Sequence, residues 1–262
     1  MSVLNQTGIG YSHLKSHIDC QDFSLSFSNN YKTMIMVSDG HGGKQYIRSD
    51  RGSKFACLAA FTLFNRLDKN KISMDMSVEY LNKLKLELLC EWNHLVEQDY
   101  GDNPFSEEEV KSLNENQRDR LRDNPSVAYG CTLHAGLIIN DLLLSFTIGD
   151  GGMFAISDNS MIEISKEDDN VANITNSLCD DKAYNDISVN VTDISKYKGV
   201  IAVTDGVVNP YQSYSNFMKS FALPIVNKLC NEGDVYEVKD FIIDLGKKKG
   251  IGDDVSLAVY YR

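Results

Sequence analysis

Three apolar, β-branched runs each end at Asp-Gly: TMIMVSDG (33–40), LLLSFTIGDG (142–151) and VIAVTDG (200–206). A fourth acidic pair, Asp253-Asp254, instead opens such a run, VSLAVYY (255–261). Short apolar runs rich in Val, Ile, Tyr and Phe and bounded by Gly and Asp read as strands. A carboxylate at the mouth of a buried strand is rigidly placed, and the glycine beside it leaves the backbone approachable. One such Asp is ordinarily a turn residue. Four of them at strand ends constrain the fold more tightly, because its topology must dispose of the charge.

Other segments supply the remaining elements. CTLHAGLIIN (131–140) and Leu142–Ile148 predict a hairpin turning near Asn140-Asp141, and Asp22–Phe27 alternates like a half-buried strand that turns at Asn29-Asn30. Ser53–Leu67 predicts a helix with Phe55, Leu58, Ala59, Thr62 and Leu63 on one face; Ser77–Val96 predicts another with the stripe Leu81, Leu84, Leu88, Trp92, Leu95. Ser106-x-x-Glu109 is a capping box for a charged, solvated helix running to about Arg122, broken at Asn124-Pro125. Phe217–Asn231 and Val235–Lys248 complete the helices. Strands and helices are grouped rather than alternating, which predicts an α+β fold with antiparallel sheets covered by helices.

The net charge of −11 excludes non-specific attraction to nucleic acid or anionic membranes, and the short basic cluster Lys247-Lys248-Lys249 does not outweigh it. No apolar run approaches the roughly 20 residues that span a bilayer. The start, MSVLNQTGIGYSHLK, lacks the pattern of a signal peptide, so a cytoplasmic location is expected. The six cysteines are scattered and read as reduced, partly buried thiols.

Clustered carboxylates repel one another and stay ionised only beside cations. Oxygen-only ligand sets suit Mg²⁺ or Mn²⁺ rather than Zn²⁺. Two such ions about 3.5–4 Å apart activate water and clamp a phosphoryl group.

In order along the chain, Cys20-Gln21-Asp22, Val37–Gly43 (VSDGHGG), Gly130-Cys131-Thr132, Ile148-Gly149-Asp150, Val203-Thr204-Asp205-Gly206 and Asp253-Asp254-Val255-Ser256 resemble the motifs of the protein phosphatase 2C family, the metal-dependent serine/threonine phosphatases. The short length and the C-Q-D form resemble its bacterial branch. The resemblance spans residues 8–261. It implies one catalytic domain over 1–262, a four-layer α-β-β-α sandwich, and a flap at about 157–197. It implies that Asp39 bridges two ions, the Gly40 carbonyl binds one, Asp205 and Asp253 complete the other, and Asp22 holds metal-bound waters. Asp150, with Asp205, matches a third, weaker site. The attacking water would be activated by the ions, Mn²⁺ or Mg²⁺, with His41 the proton donor to the departing Ser or Thr oxygen, a task suited to imidazole. The implied partners are phosphorylated proteins and a serine/threonine kinase; a monomer without nucleic-acid or membrane partners is expected.

Three positions depart from the family pattern. Gln21 stands where many relatives have Glu. His17 stands where eukaryotic relatives have a phosphate-gripping arginine; imidazole is a weaker phosphate partner than a bidentate guanidinium, and Lys15 or Arg48 is expected to assist it. Gly149-Asp150-Gly151-Gly152 replaces G-D-S-R. Elsewhere, Cys90 and His94 read as core packing, and His13 and His134 have no evident partner. Gly8-x-Gly10 is too short for a dinucleotide fingerprint, and no helix is expected after it. Two rival functions remain open: a catalytically weak regulatory binding module of the same fold, and a different two-metal phosphoesterase.

Overall fold

The computed structural model describes residues 2–165, 175–248 and 252–262. The strands are β1 (Ser2–Gly8), β2 (Phe23–Ser28), β3 (Thr33–Ser38), β4 (Leu133–Ile139), β5 (Leu142–Ile148), β6 (Gly152–Ile156), β7 (Met161–Glu163), β8 (Ser188–Asp193), β9 (Gly199–Val203) and β10 (Val255–Tyr261). The helices are α1 (Tyr11–Ser16), α2 (Ser49–Arg66), α3 (Val78–Asp102), α4 (Glu107–Val110), α5 (Glu115–Asp123), α6 (Ala183–Asp186), α7 (Asp205–Val208), α8 (Tyr214–Phe217), α9 (Leu223–Asn231) and α10 (Val235–Gly246).

Two antiparallel five-stranded sheets form, ordered β1-β10-β9-β6-β7 and β2-β3-β4-β5-β8. The apolar runs are continuous because each central strand is buried on both faces. In β3, Met34 and Met36 pack outward against α2 and α3 while Ile35 and Val37 point into the layer between the sheets. In β9 and β10, Ile201, Val203, Leu257 and Val259 meet Phe217, Phe221, Val226 and Ile242; Val200, Ala202, Ala258 and Tyr260 fill the inter-sheet layer. The result is the expected α-β-β-α sandwich. Among the described residues no helix is long and apolar enough to cross a membrane.

Several local expectations are corrected. The buried face of α2 is Gly52, Ser53, Ala56, Cys57, Ala59, Ala60, Leu63 and Phe64; Phe55, Leu58 and Thr62 are only half-buried. From Gly52 to Ala60 small side chains take the inward face and let the helix approach the sheet, and only its last turn buries bulky ones, Leu63 and Phe64. The charged helix is two helices. Leu113 is buried between them, and Asn114 starts the second with its own capping box to Gln117. The segment 217–231 carries a π-helical turn, Met218–Ala222, before Pro224, whose missing N–H interrupts the helical ladder. A short helix, α1, does follow Gly10. Cys90 and His94 are both exposed, so they are not core packing. The strands β1, β6, β7 and β8 are additional to the sequence reading. Of the 157–197 segment, residues 166–174 lie outside the described residues, as does Lys249 of the basic cluster; the parts on either side include the edge strands β7 and β8.

Candidate metal centre

The sheet registers carry the strand ends with acidic residues to one rim of the sandwich. Ser38 at the end of β3 pairs with Phe23 at the start of β2, placing Asp39 beside Asp22. Ile148 at the end of β5 pairs with Leu133, next to Thr132, which holds the Asp39 backbone: Asp39 N donates to Thr132 Oγ1 at 3.0 Å and Thr132 N donates to the Asp39 carbonyl at 2.8 Å. In the other sheet, Val203 pairs with Leu257, so Asp205 and Asp253 leave the same rim.

Carboxylate oxygens of Asp39, Asp150 and Asp205, from three separate strand ends, lie within 4.8 Å of one another. The electrostatic environment adds two more acids. Burial raises the Asp39 carboxyl well above the usual range, and Asp22, Asp205 and Asp253 raise it further. Asp22 is buried and likewise raised, with Thr204 Oγ1 donating to it at 2.7 Å. Asp205 is pushed up to about 7 by burial, Asp150 and Asp253. Asp253 is raised by burial and by the neighbouring carboxylates of Asp254 and Asp150. No lysine or arginine among the described residues forms an ion pair with any of the five.

This donor set fits hard divalent cations. It is all oxygen, it carries excess negative charge, and among the described residues Asp205 Oδ1 is buried without a hydrogen-bond partner. Gly40 N donates to the Gln21 carbonyl at 3.1 Å, and Gly40 bridges to Cys131. A Cβ at Gly40 would sit 2.6 Å from the backbone oxygens of Gln21 and Ser49, and one at Gly206 would sit 2.0 Å from the Asp254 carbonyl. These two glycines therefore serve the close packing of backbone on backbone, beyond the openness to ligand that the sequence suggested.

Asp254 is a site residue that sequence reasoning missed. Its buried carboxylate accepts from Gly10 N and Gln21 N, both at 2.6 Å, and its Oδ2 lies 3.0 Å from His13 Nδ1. It ties the start of β10 to α1 and to the loop before β2, and it supplies the partner His13 lacked. Gln21 Nε2 donates to Ser49 Oγ at 2.8 Å, linking that loop to α2.

His41 follows Asp39 by two residues, and its N–H donates to the Gly130 carbonyl at 3.1 Å. Burial lowers the imidazole below its usual value, while Asp150 and Asp180 draw it back up. His17 is the exposed, left-handed cap of α1 at φ 55°. Arg48 is no helper for it, contrary to expectation. Its guanidinium is buried and holds Glu109 through two hydrogen bonds of 2.7 and 3.1 Å, along with Tyr129 Oη and the Asn103 carbonyl. His134 is buried in β4 with neither ring nitrogen hydrogen-bonded among the described residues, and burial pushes it down to about 4.

The family model described as protein phosphatase 2C matches residues 9–239. Among solved structures, the serine/threonine phosphatase Stp1 from Staphylococcus aureus aligns over 100% of this chain and 95% of its own, at 14% identity and a TM-score of 0.65. The S. agalactiae serine/threonine phosphatase covers 100% and 99%, at 15% identity and 0.64. The catalytic domain of the serine/threonine protein phosphatase PstP, in complex with two manganese ions, covers 98% and 96%, at 15% identity and 0.59. No curated protein sequence matches at a significant level.

Proposed function

Because the chain belongs to the protein phosphatase 2C family and is a protein phosphatase, we propose that it hydrolyses phosphoserine and phosphothreonine in proteins at a centre of two divalent ions, Mn²⁺ or Mg²⁺. The observation that carries this reading is the convergence of Asp39, Asp150 and Asp205 from three strand ends, with no lysine or arginine among the described residues paired to them. Asp39, the Gly40 carbonyl, Asp205 and Asp253 would hold the two ions, with Asp22 behind Asp39. Asp150 with Asp205 would hold a third. When bound, the ions supply an activated water and withdraw charge from the phosphoryl group. The neighbouring PstP domain binds two manganese ions by its own description, in keeping with this stoichiometry.

The chain's own residues do the rest. Water oxygen bonds to phosphorus, the bond from phosphorus to the Ser or Thr oxygen breaks, and His41 delivers a proton to that departing oxygen. His17 is proposed to contact the phosphate; an unchanged KM for a phosphopeptide in His17→Ala would remove that role. Phosphoproteins, including targets of a serine/threonine kinase, are the proposed substrates. The segment at about 157–197 is proposed to select among them.

Hydrolysis of a phosphothreonine peptide with added Mn²⁺ tests the function. Activity that appears with Mn²⁺ and vanishes in Asp39→Asn is expected. Wild type inert in Mn²⁺ and Mg²⁺ would indicate the binding module instead, and equal activity in Asp39→Asn would end the metal reading.

A further inference from the structure

A proton donor needs its ring aimed, and catalytic imidazoles are ordinarily aimed by a hydrogen bond to a third group. His41 has none among the described residues: its Nε2 is buried without a partner, and only its backbone N–H is tied down. What touches the ring is Tyr46. The two ring centroids are 4.9 Å apart, with the planes at 57°.

Tyr46 is itself held on three sides. Its N–H closes the glycine turn onto the Gly43 carbonyl at 2.9 Å, and its own carbonyl accepts from Ser49 N at the start of α2. One edge of its ring lies where a Cβ on Gly43 would come within 3.0 Å. The opposite edge lies where a Cβ on Gly130 would come within 2.5 Å. Gly130 also accepts the His41 N–H. Gly43 and Gly130 thus form a slot for an aromatic ring, and the ring in that slot packs on the imidazole.

We infer that Tyr46 is a positioning residue: its ring, wedged between Gly43 and Gly130, fixes the imidazole of His41 for proton delivery to the leaving oxygen. This rests on the proposed role of His41, and the experiment separates the two. An alkoxide leaving from phosphothreonine needs the proton. A p-nitrophenolate leaving group, being far less basic, departs without it. Losing aim therefore harms the first substrate more than the second.

Tyr46→Ala, Tyr46→Leu and Tyr46→Phe are assayed on a phosphothreonine peptide and on p-nitrophenyl phosphate in saturating Mn²⁺, alongside His41→Ala. Mn²⁺ affinity is measured by calorimetry. Tyr46→Ala is expected to lower kcat on the peptide roughly 10- to 100-fold, with KM little changed and a loss at least about tenfold greater than on p-nitrophenyl phosphate. Tyr46→Phe, which keeps the ring, is expected to restore most of it, and Mn²⁺ affinity is expected to stay near wild type in all three. Tyr46→Leu fills the slot without an aromatic face and serves if the alanine variant fails to fold. Equal losses on both substrates, weakened Mn²⁺ binding, or a Phe variant as poor as Ala would overturn the inference. If His41→Ala shows no leaving-group dependence, the proton-donor role itself fails; if His41→Ala shows it and the Tyr46 variants do not, only the role of Tyr46 fails.

Discussion

Two groups of carboxylates meet the segment between β3 and α2, and the proton affinities of Asp205 in one and Glu109 in the other are driven in opposite directions. At the rim, Asp22, Asp39, Asp150, Asp205 and Asp253 form no ion pair with a lysine or arginine among the described residues, and Asp205 is pushed up to about 7. A few residues on, Arg48 meets Glu109, and Glu109 falls to about 2 because the guanidinium holds it. Tyr129 donates to Asp99 at 2.6 Å and accepts from Arg48 at 2.8 Å, Arg51 pairs with Asp99 at 3.0 Å, and the guanidinium lies 4.7 Å from the Phe105 ring centre. The second group is complete within the chain. Among the described residues the first is left short of positive charge, and a partly buried acidic group in that condition is a binding site for cations or a source of instability.

That contrast is open to direct attack. The largest effect is expected from Asp39→Asn. Its kcat/KM on a phosphothreonine peptide should fall by about 10³-fold or more, on the order of 4 kcal/mol, while the metal-free variant melts no lower than wild type because a repelling charge is gone. A lower melting temperature would mean that the rim acids are not in mutual repulsion. Next is Arg48→Ala, which strands Glu109 and Asp99. Urea unfolding should show a loss of about 3 kcal/mol, as for a broken, largely buried pair, with kcat within a few-fold of wild type; a large fall in kcat at unchanged stability would return Arg48 to the catalytic site.

A smaller effect comes with pH. Asp22, Asp39, Asp205 and Asp253 have folded pKa values above their unfolded ones, so their contribution is fully present below the unfolded value near 3.9 and is lost as pH rises through about 7 for Asp205. Metal-free protein should therefore melt lower at pH 8 than at pH 5.5, and saturating Mn²⁺ should remove the decline. Glu109 has the opposite sign. Its contribution is present above an unfolded value of about 4.3 and is lost as pH falls toward about 2, so Glu109→Gln should flatten the acid limb of the stability curve and leave the alkaline limb alone. The smallest change is Tyr129→Phe, expected to cost about 1 kcal/mol in urea unfolding by removing the hydroxyl between Arg48 and Asp99, with Mn²⁺ affinity unmoved.

Much of this could be read from the residues because the central strands are buried on both faces and so appear as uninterrupted apolar runs. The weaker elements could not. β1 reads SVLNQTG because most of its residues are only partly covered, and neither alternation nor a run emerges. The break between α4 and α5 was hidden by continuous charge, although Asn114-x-x-Gln117 is itself a start signal. Asp253 and Asp254 are adjacent, and neighbours on an extended chain face opposite ways. Nothing in the letters says which turns inward, and the buried one is Asp254. Tyr46 was invisible for another reason: its contact with His41 depends on Gly130, brought close only by the pairing of β3 with β4.

The Asp254 carboxylate accepts from Gly10 N across 244 positions of sequence. β1 stands at the edge of its sheet, pairs with β10, and ends with Gly8 opposite Val255, beside these groups. Contacts of such separation form late, since the loop they close is costly before it is rewarded. The rim is therefore expected to be finished late in folding. Helical signal should return early in refolding and metal-dependent turnover only with the final sheet closure, so the enzyme is silent until its folding is complete.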